Sequence, residues 1–342
     1  MAKKKVGFYW CASCGGCEEA VVDLAEDLLA ALEQIEIVFW PVAMDFKRED
    51  VEKMADGEIF ATFINGAVRL SEQEEIVHLL RRKSQVIVAF GACSHMGGIP
   101  GLANGVQREQ ILDYYYHSGP TVETNGSVEP DPGITKKEHG FDLPEFYRHV
   151  RALDQVIDVD YYIPGCAPPP AIVKGALAQL LAEEPPPPGT VLASSHALCH
   201  ECELNETKPA EGIRIKEFKR PHQVEKIDPN TCLLVQGLVC LGPVTRGGCG
   251  ALCVKGRMPC TGCFGPLDGV QDFGAAALSF VASIIDSNDP HEIERILDEG
   301  IPDPLGTFYL YSLPKSLLFQ KLLGRNGKKV AESRPRKEKV EA

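Results

Sequence analysis

An α/β fold is predicted for the first half of this 342-residue chain, followed by a cysteine-rich, irregular second half with C-terminal helices. Three observations predict it. Short apolar runs of strand length alternate with amphipathic helical stretches, the pattern of a parallel sheet with covering helices. Four consecutive prolines, Pro185 to Pro188, stop that pattern, because they fit neither a helix nor a ladder and make a stiff spacer. Beyond them, residues 190–270 hold eight of the thirteen cysteines with many Gly and Pro and little periodicity.

Taken in order, strands are read at 5–10, 35–42, 58–64, 85–90 and 155–163. Between the first two, residues 18–33 place Val21, Leu24, Leu28, Leu29 and Leu32 near helical spacing with acids on the opposite face, and residues 72–82 repeat the theme. A flavodoxin-like layered domain follows over residues 1–184. Residues 185–270 form a second unit too poor in apolar pattern for a conventional core, so bound inorganic clusters are expected to supply its folding energy. Helical patterning returns at 271–324 through Phe273, Ala277, Phe280 and Ile284, later broken by Pro302, Pro304 and Pro314. The polar insertion at 118–140 reads as a surface loop suited to a partner. The tail at 325–342 is basic and reads as a solvated terminus.

Charge and hydropathy exclude some functions. A net charge of −13 argues against direct nucleic-acid binding. No run approaches the roughly 20 apolar residues of a membrane span, so no direct membrane insertion is expected. The start, Met1-Ala2-Lys3-Lys4-Lys5, runs straight into the first strand without an apolar signal region. A cytoplasmic location is the expectation, and structural disulfides are rare there.

The odd cysteine count also argues against a fully paired disulfide framework. Soft thiolates gathered in fours suit iron–sulfur clusters, and twelve of the thirteen fall into three such sets. Cys14 and Cys17 follow the first strand, Cys93 follows the fourth and Cys166 the fifth. Loops at the carboxyl ends of parallel strands meet at one edge, so these four converge. Gly15, Gly16, Gly91 and Gly165 remove side-chain bulk around them. A zinc site and a redox pair at Cys14 and Cys17 are the competing readings. Cys11 is left over, a small buried side chain. Glu18 and Glu19 open a helix, where acids complement the dipole; a proton relay is the functional alternative. In the second half, Cys199-x-x-Cys202 and Cys260-x-x-Cys263 would also suit a pair of zinc ribbons.

Three segments carry a family resemblance: Cys14-Gly15-Gly16-Cys17-Glu18-Glu19, Gly91-Ala92-Cys93-Ser94-His95-Met96-Gly97-Gly98-Ile99-Pro100 and Pro164-Gly165-Cys166-Ala167-Pro168-Pro169. They resemble the proximal-cluster motifs of NiFe hydrogenase small subunits and of the related subunit of respiratory complex I. The cysteine-rich extension favours the hydrogenases. Met258-Pro259-Cys260-Thr261-Gly262-Cys263 resembles the closing medial motif, and Cys240-Leu241-Gly242-Pro243-Val244-Thr245 with Cys249 resembles the join between distal and medial ligands.

The resemblance therefore implies three 4Fe-4S clusters: proximal on Cys14, Cys17, Cys93 and Cys166; distal on Cys199, Cys202, Cys232 and Cys240; medial on Cys249, Cys253, Cys260 and Cys263. Cys199 stands where many relatives have histidine, and a His196-x-x-Cys199 reading is the alternative; His200 is read as an exposed neighbour. Cys253 would complete a four-iron medial cluster where some relatives have three irons.

Within the family the chain is most similar to the small (gamma) subunit of the cytoplasmic, methyl-viologen-reducing type, which does not reduce the deazaflavin coenzyme. That resemblance implies a NiFe large subunit, an iron–sulfur delta subunit and heterodisulfide reductase as partners, in methanogenesis. It also implies no catalytic residue on this chain, because the nickel site belongs to the large subunit. The sulfhydrogenase and NAD(P)-linked soluble hydrogenases are the near competitors. A free-standing electron carrier or a zinc-stabilised interaction module is the competitor from another class.

Overall fold

Among the described residues seven strands form, five of them in one parallel sheet. They are β1 (Lys4–Trp10), β2 (Ile35–Phe39), β3 (Ile59–Asn65), β4 (Val68–Leu70), β5 (Ser84–Phe90), β6 (Phe146–Arg151) and β7 (Tyr161–Ile163). The sheet runs β2-β1-β3-β5-β7, so the strand order reverses at β1. The protein is described by a computed structural model covering residues 2–123, 128–130 and 143–319. Most of the insertion read at 118–140 and all of the basic tail at 325–342 lie outside the described residues.

The parallel register aligns the strand ends. Trp10 pairs with Asn65, Asn65 with Phe90, and Phe90 with Ile163. Each of these residues closes its strand, so the loops carrying Cys14 and Cys17, Cys93, and Cys166 leave from one level of one edge. Apolar side chains alternate to both faces. Val6, Phe8, Phe63, Val88 and Phe90 face one core, closed by Val21, Leu24, Val173 and Leu180. Ile59, Ile64, Ile87 and Ala89 face the other, closed by Val77, Leu80 and Leu153.

The helices are α1 (Gly16–Val22), α2 (Glu26–Ala31), α3 (Arg48–Glu52), α4 (Ser71–Lys83), α5 (Gly91–Met96), α6 (Arg108–Asp113), α7 (Pro170–Leu181), α8 (Leu252–Lys255), α9 (Phe273–Ser283), α10 (Pro290–Gly300) and α11 (Pro304–Phe308). Pro170 opens α7, where its fixed φ suits a first turn and its missing N–H costs nothing. None of the described helices is long and apolar enough to cross a membrane.

Several expectations change in detail. The helix read at 18–33 is two pieces, because Ala25 takes φ +50°. The break lets Leu24 enter the core, while α2 buries none of its residues. The strand read at 35–42 stops at Phe39, short of Pro41, which has no N–H for a ladder. The strand read at 155–163 keeps only Tyr161–Ile163; its first half is a 3₁₀ turn and loop. The antiparallel pair β4–β6 went unread because β4 is three residues long.

After the four prolines the chain returns to the sheet edge: Leu192 N–H donates to Tyr162 O at 2.8 Å, and Leu192 joins the first core. The cysteine-rich segment then folds without named strands, on loop-to-loop bonds such as Leu198 N–H to Thr245 O (2.8 Å) and Leu241 N–H to Cys260 O (2.9 Å). It does have an apolar core, contrary to expectation. Leu198, Ile215, Phe218, Leu234 and Leu241 pack on Phe273, Ala277, Val281, Ile296 and Phe308 of α9, α10 and α11. The chain then doubles back on the sheet domain: Gln155 Nε2 donates to Pro314 O at 2.8 Å, and Lys315 pairs with Asp154 at 2.6 Å.

Candidate metal centres

Four sulfurs meet at the carboxyl edge of the sheet. Burial pushes the Cys17 thiol up, and the neighbouring Cys93, Cys166 and Cys14 push the same way. Cys93 is pushed up to about 12 by burial, then by Cys166 and Cys14. Cys17 and Cys93 are buried, whereas Cys14 and Cys166 are exposed, so the set faces outward on one side. Gly91 (φ +84°) and Gly98 (φ +59°) make room: a Cβ on Gly91 would strike Cys17 Sγ, and one on Gly98 would strike Cys93 Sγ. Cys11 lies apart in the second core, its thiol raised by burial, as its sequence position suggested. Glu18 is more than a dipole complement. It is buried beside Cys17 and accepts from Trp40 Nε1 and from Asn65 Nδ2, the latter at 2.6 Å. Burial raises its pKa, and the two hydrogen bonds oppose the rise. Glu19 is exposed.

A second set forms in the cysteine-rich segment. Burial and then Cys249 push Cys263 up to about 12, with Cys253 acting in the same direction. Cys260 is raised by burial, then by Cys240 and, more weakly, by Cys263. The third set, Cys199, Cys202, Cys232 and Cys240, lines one pocket with Leu198, Leu204 and Val254. His196 and His200 are both exposed and do not line it, although Cys202 does.

Backbone contacts link cysteines of neighbouring sets. The Cys166 backbone N–H donates to Cys263 Sγ, joining the first to the second. The Cys260 backbone N–H donates to Cys240 Sγ at 3.3 Å, joining the second to the third. Further backbone N–H groups point at sulfur: Ile99 at Cys93, Gly242 at Cys240, Gly262 at Cys260, and Ala251 and Leu252 at Cys249. The available signal was a glycine two residues after Cys240 and Cys260.

Donor chemistry and shape together test what these sulfurs hold. Among the described residues, no group of three or more His, Cys, Asp or Glu is gathered tightly enough for a single metal ion. The third set offers soft sulfur donors, the donor type that iron–sulfur cores take. Buried thiols raised in pKa need cationic charge to ionise, and a bound cluster supplies it. Two charged residues near these sulfurs were missed from sequence: Lys208, whose Nζ donates to Cys199 Sγ at 3.2 Å, and Glu201, which reaches the Cys249 loop. Their placement is tertiary and leaves no local motif.

Known proteins now compare directly. Residues 14–180 match the family described as "NADH ubiquinone oxidoreductase, 20 Kd subunit". The chain is 39% identical over 323 residues to the iron-sulfur subunit of the F420-non-reducing hydrogenase of Archaeoglobus profundus, covering 93% of this chain and 98% of that protein. The chain belongs to the family of F420-non-reducing hydrogenase iron-sulfur subunits. The corresponding hydrogenase subunit of Methanothermobacter marburgensis is 34% identical over 329 residues, covering 94% and 98%. A chain of this family is a component of an oxidoreductase and a bearer of iron–sulfur clusters, and its resemblance to NiFe hydrogenase small subunits holds. Its fold matches a chain of the Desulfomicrobium baculatum NiFeSe hydrogenase with TM-score 0.50 and 18% identity, over 79% of this chain and 96% of that one.

Proposed function

We propose that the chain is the electron-relay small subunit of a cytoplasmic NiFe hydrogenase. Three 4Fe-4S clusters would be held by the proximal, medial and distal cysteine sets. They supply the redox chemistry when bound: each stores and releases single electrons. The polypeptide supplies placement, burial and N–H donors to sulfur, which stabilise the reduced, more negative state.

Electrons from hydrogen oxidised on a separate large subunit would enter at the sheet edge and leave near Cys199. A delta subunit and heterodisulfide reductase are the onward partners in this reading. The observation that carries it is the serial joining of the three cysteine sets through Cys166 to Cys263 and Cys260 to Cys240. Exposure of Cys14, Cys166 and Ile99 at the sheet edge supports docking of the large subunit there.

The test is anaerobic purification of the complex followed by metal analysis and two variants. Three four-iron clusters on this chain give about twelve irons with matching acid-labile sulfide, and zinc without iron would falsify the reading. Cys14→Ser should abolish hydrogen-dependent dye reduction, while Cys199→Ser should first impair transfer to the physiological acceptor. Equal losses in both assays contradict the direction.

A further inference from the structure

Two charges of opposite sign sit on the two cysteine sets of the second half. Lys208 Nζ donates to Cys199 Sγ at 3.2 Å and is held there by Asn205 Oδ1 at 2.7 Å. Glu201 turns the other way. Its Oε1 accepts from Gly248 N–H at 2.9 Å and Gly250 N–H at 3.1 Å, which brings it 3.8 Å from Cys249 Sγ. Both side chains are part-buried, where solvent screens less than at an open surface. The two contacts fall on different sets: Lys208 on Cys199, Glu201 on Cys249.

We propose that Lys208 and Glu201 are positioning residues that bias the last electron transfer outward, the lysine stabilising the added electron at the Cys199 set and the glutamate opposing it at the Cys249 set. This inference rests on the iron–sulfur reading above. In the step concerned, one electron leaves the Cys249 set and arrives at the Cys199 set. The donor is oxidised by one, the acceptor is reduced by one, and no bond or proton changes place. A charge-assisted hydrogen bond to a ligand sulfur favours the reduced form because that form carries more negative charge. A carboxylate beside a ligand sulfur disfavours it for the same reason. The Gly248 and Gly250 N–H groups hold the carboxylate in place at part of its charge. Neither residue ligates, so both are replaceable without removing a sulfur.

The experiment is a redox titration followed by electron paramagnetic resonance on the anaerobically purified complex carrying Lys208→Gln, Lys208→Arg or Glu201→Gln. Iron and sulfide content is measured on every sample, beginning with wild type. Lys208→Gln should lower one midpoint by about 59 mV, a tenfold change in a one-electron equilibrium. Lys208→Arg keeps the charge and should hold that midpoint near wild type. Glu201→Gln, which still accepts both N–H bonds, should raise a different midpoint by a similar amount. Unchanged midpoints at full iron content overturn the inference, as does movement of the same signal by both substitutions. Should Lys208→Gln lose a cluster, Glu201→Gln decides: an upward shift sustains the bias and a static midpoint ends it. Absence of iron–sulfur signals from the wild-type chain would instead overturn the underlying reading, so the two failures are distinct.

Discussion

Gly91 closes the chain tightly against the Cys17 sulfur. It precedes the turn to Cys93, takes φ +84°, and has no room for a Cβ because Cys17 Sγ occupies that space. Glycine therefore serves here twice, for backbone conformation and for clearance. In the three-cluster reading, Gly91→Ala should displace Cys17 and cost the chain about four irons, with the far-ultraviolet circular dichroism kept. Retention of all the iron would show that the sulfur can move aside. The need for glycine before Cys93 was legible in the sequence. Gly98, which clears Cys93 from the opposite side, belongs to a segment that sequence could quote but not explain. Lys208 lies nine residues from Cys199, and only folding turns its ammonium onto that sulfur.

Among elements, the C-terminal helices carry more than their sequence position suggests. They read as an extension, yet α9, α10 and α11 wall the core on which Cys232, Cys240 and Cys260 sit. The seam at Gly300 is tight: a Cβ there would lie 2.5 Å from Phe218 Cβ and 3.0 Å from Phe218 O. Backbone cannot yield as a side-chain tip does, so Gly300→Ala should destabilise the chain by about 1–3 kcal/mol. Chemical denaturation of the holo complex, followed by loss of cluster absorbance, measures it; a midpoint equal to wild type would show that α10 can slide. Amphipathic spacing at Phe273, Ala277 and Phe280 was enough to find α9. Its packing partner was not readable, because the cysteine-rich segment scatters its apolar residues without period.

For the whole molecule, two kinds of stabilisation divide the chain. The sheet domain has two apolar cores and a hydrogen-bonded ladder that need no metal. Around Cys199 to Cys263, irregular loops share a core with α9 to α11 and enclose sulfurs that repel one another once ionised, so in the proposed reading cluster binding adds to folding there. Removing iron with an oxidant and chelator should therefore strip amide-exchange protection from residues 198–263 first, while β1, β3 and β5 stay protected. Uniform loss across both regions would mean that the two fold as one unit.

Sequence alone determined the parallel α/β sheet and the carboxyl edge to which it brings Cys14, Cys17, Cys93 and Cys166; the iron–sulfur reading came from family resemblance. Sheet and edge follow from local periodicity and strand ends, which neighbours in the chain specify. Tertiary structure decided the rest: the split of the first helix at Ala25, the pocket lined by Cys199, Cys202, Cys232 and Cys240, and the joining of the three sets through Cys166 and Cys260. These depend on segments distant in the chain meeting in irregular loops, where no hydrophobic period records which residue will face which.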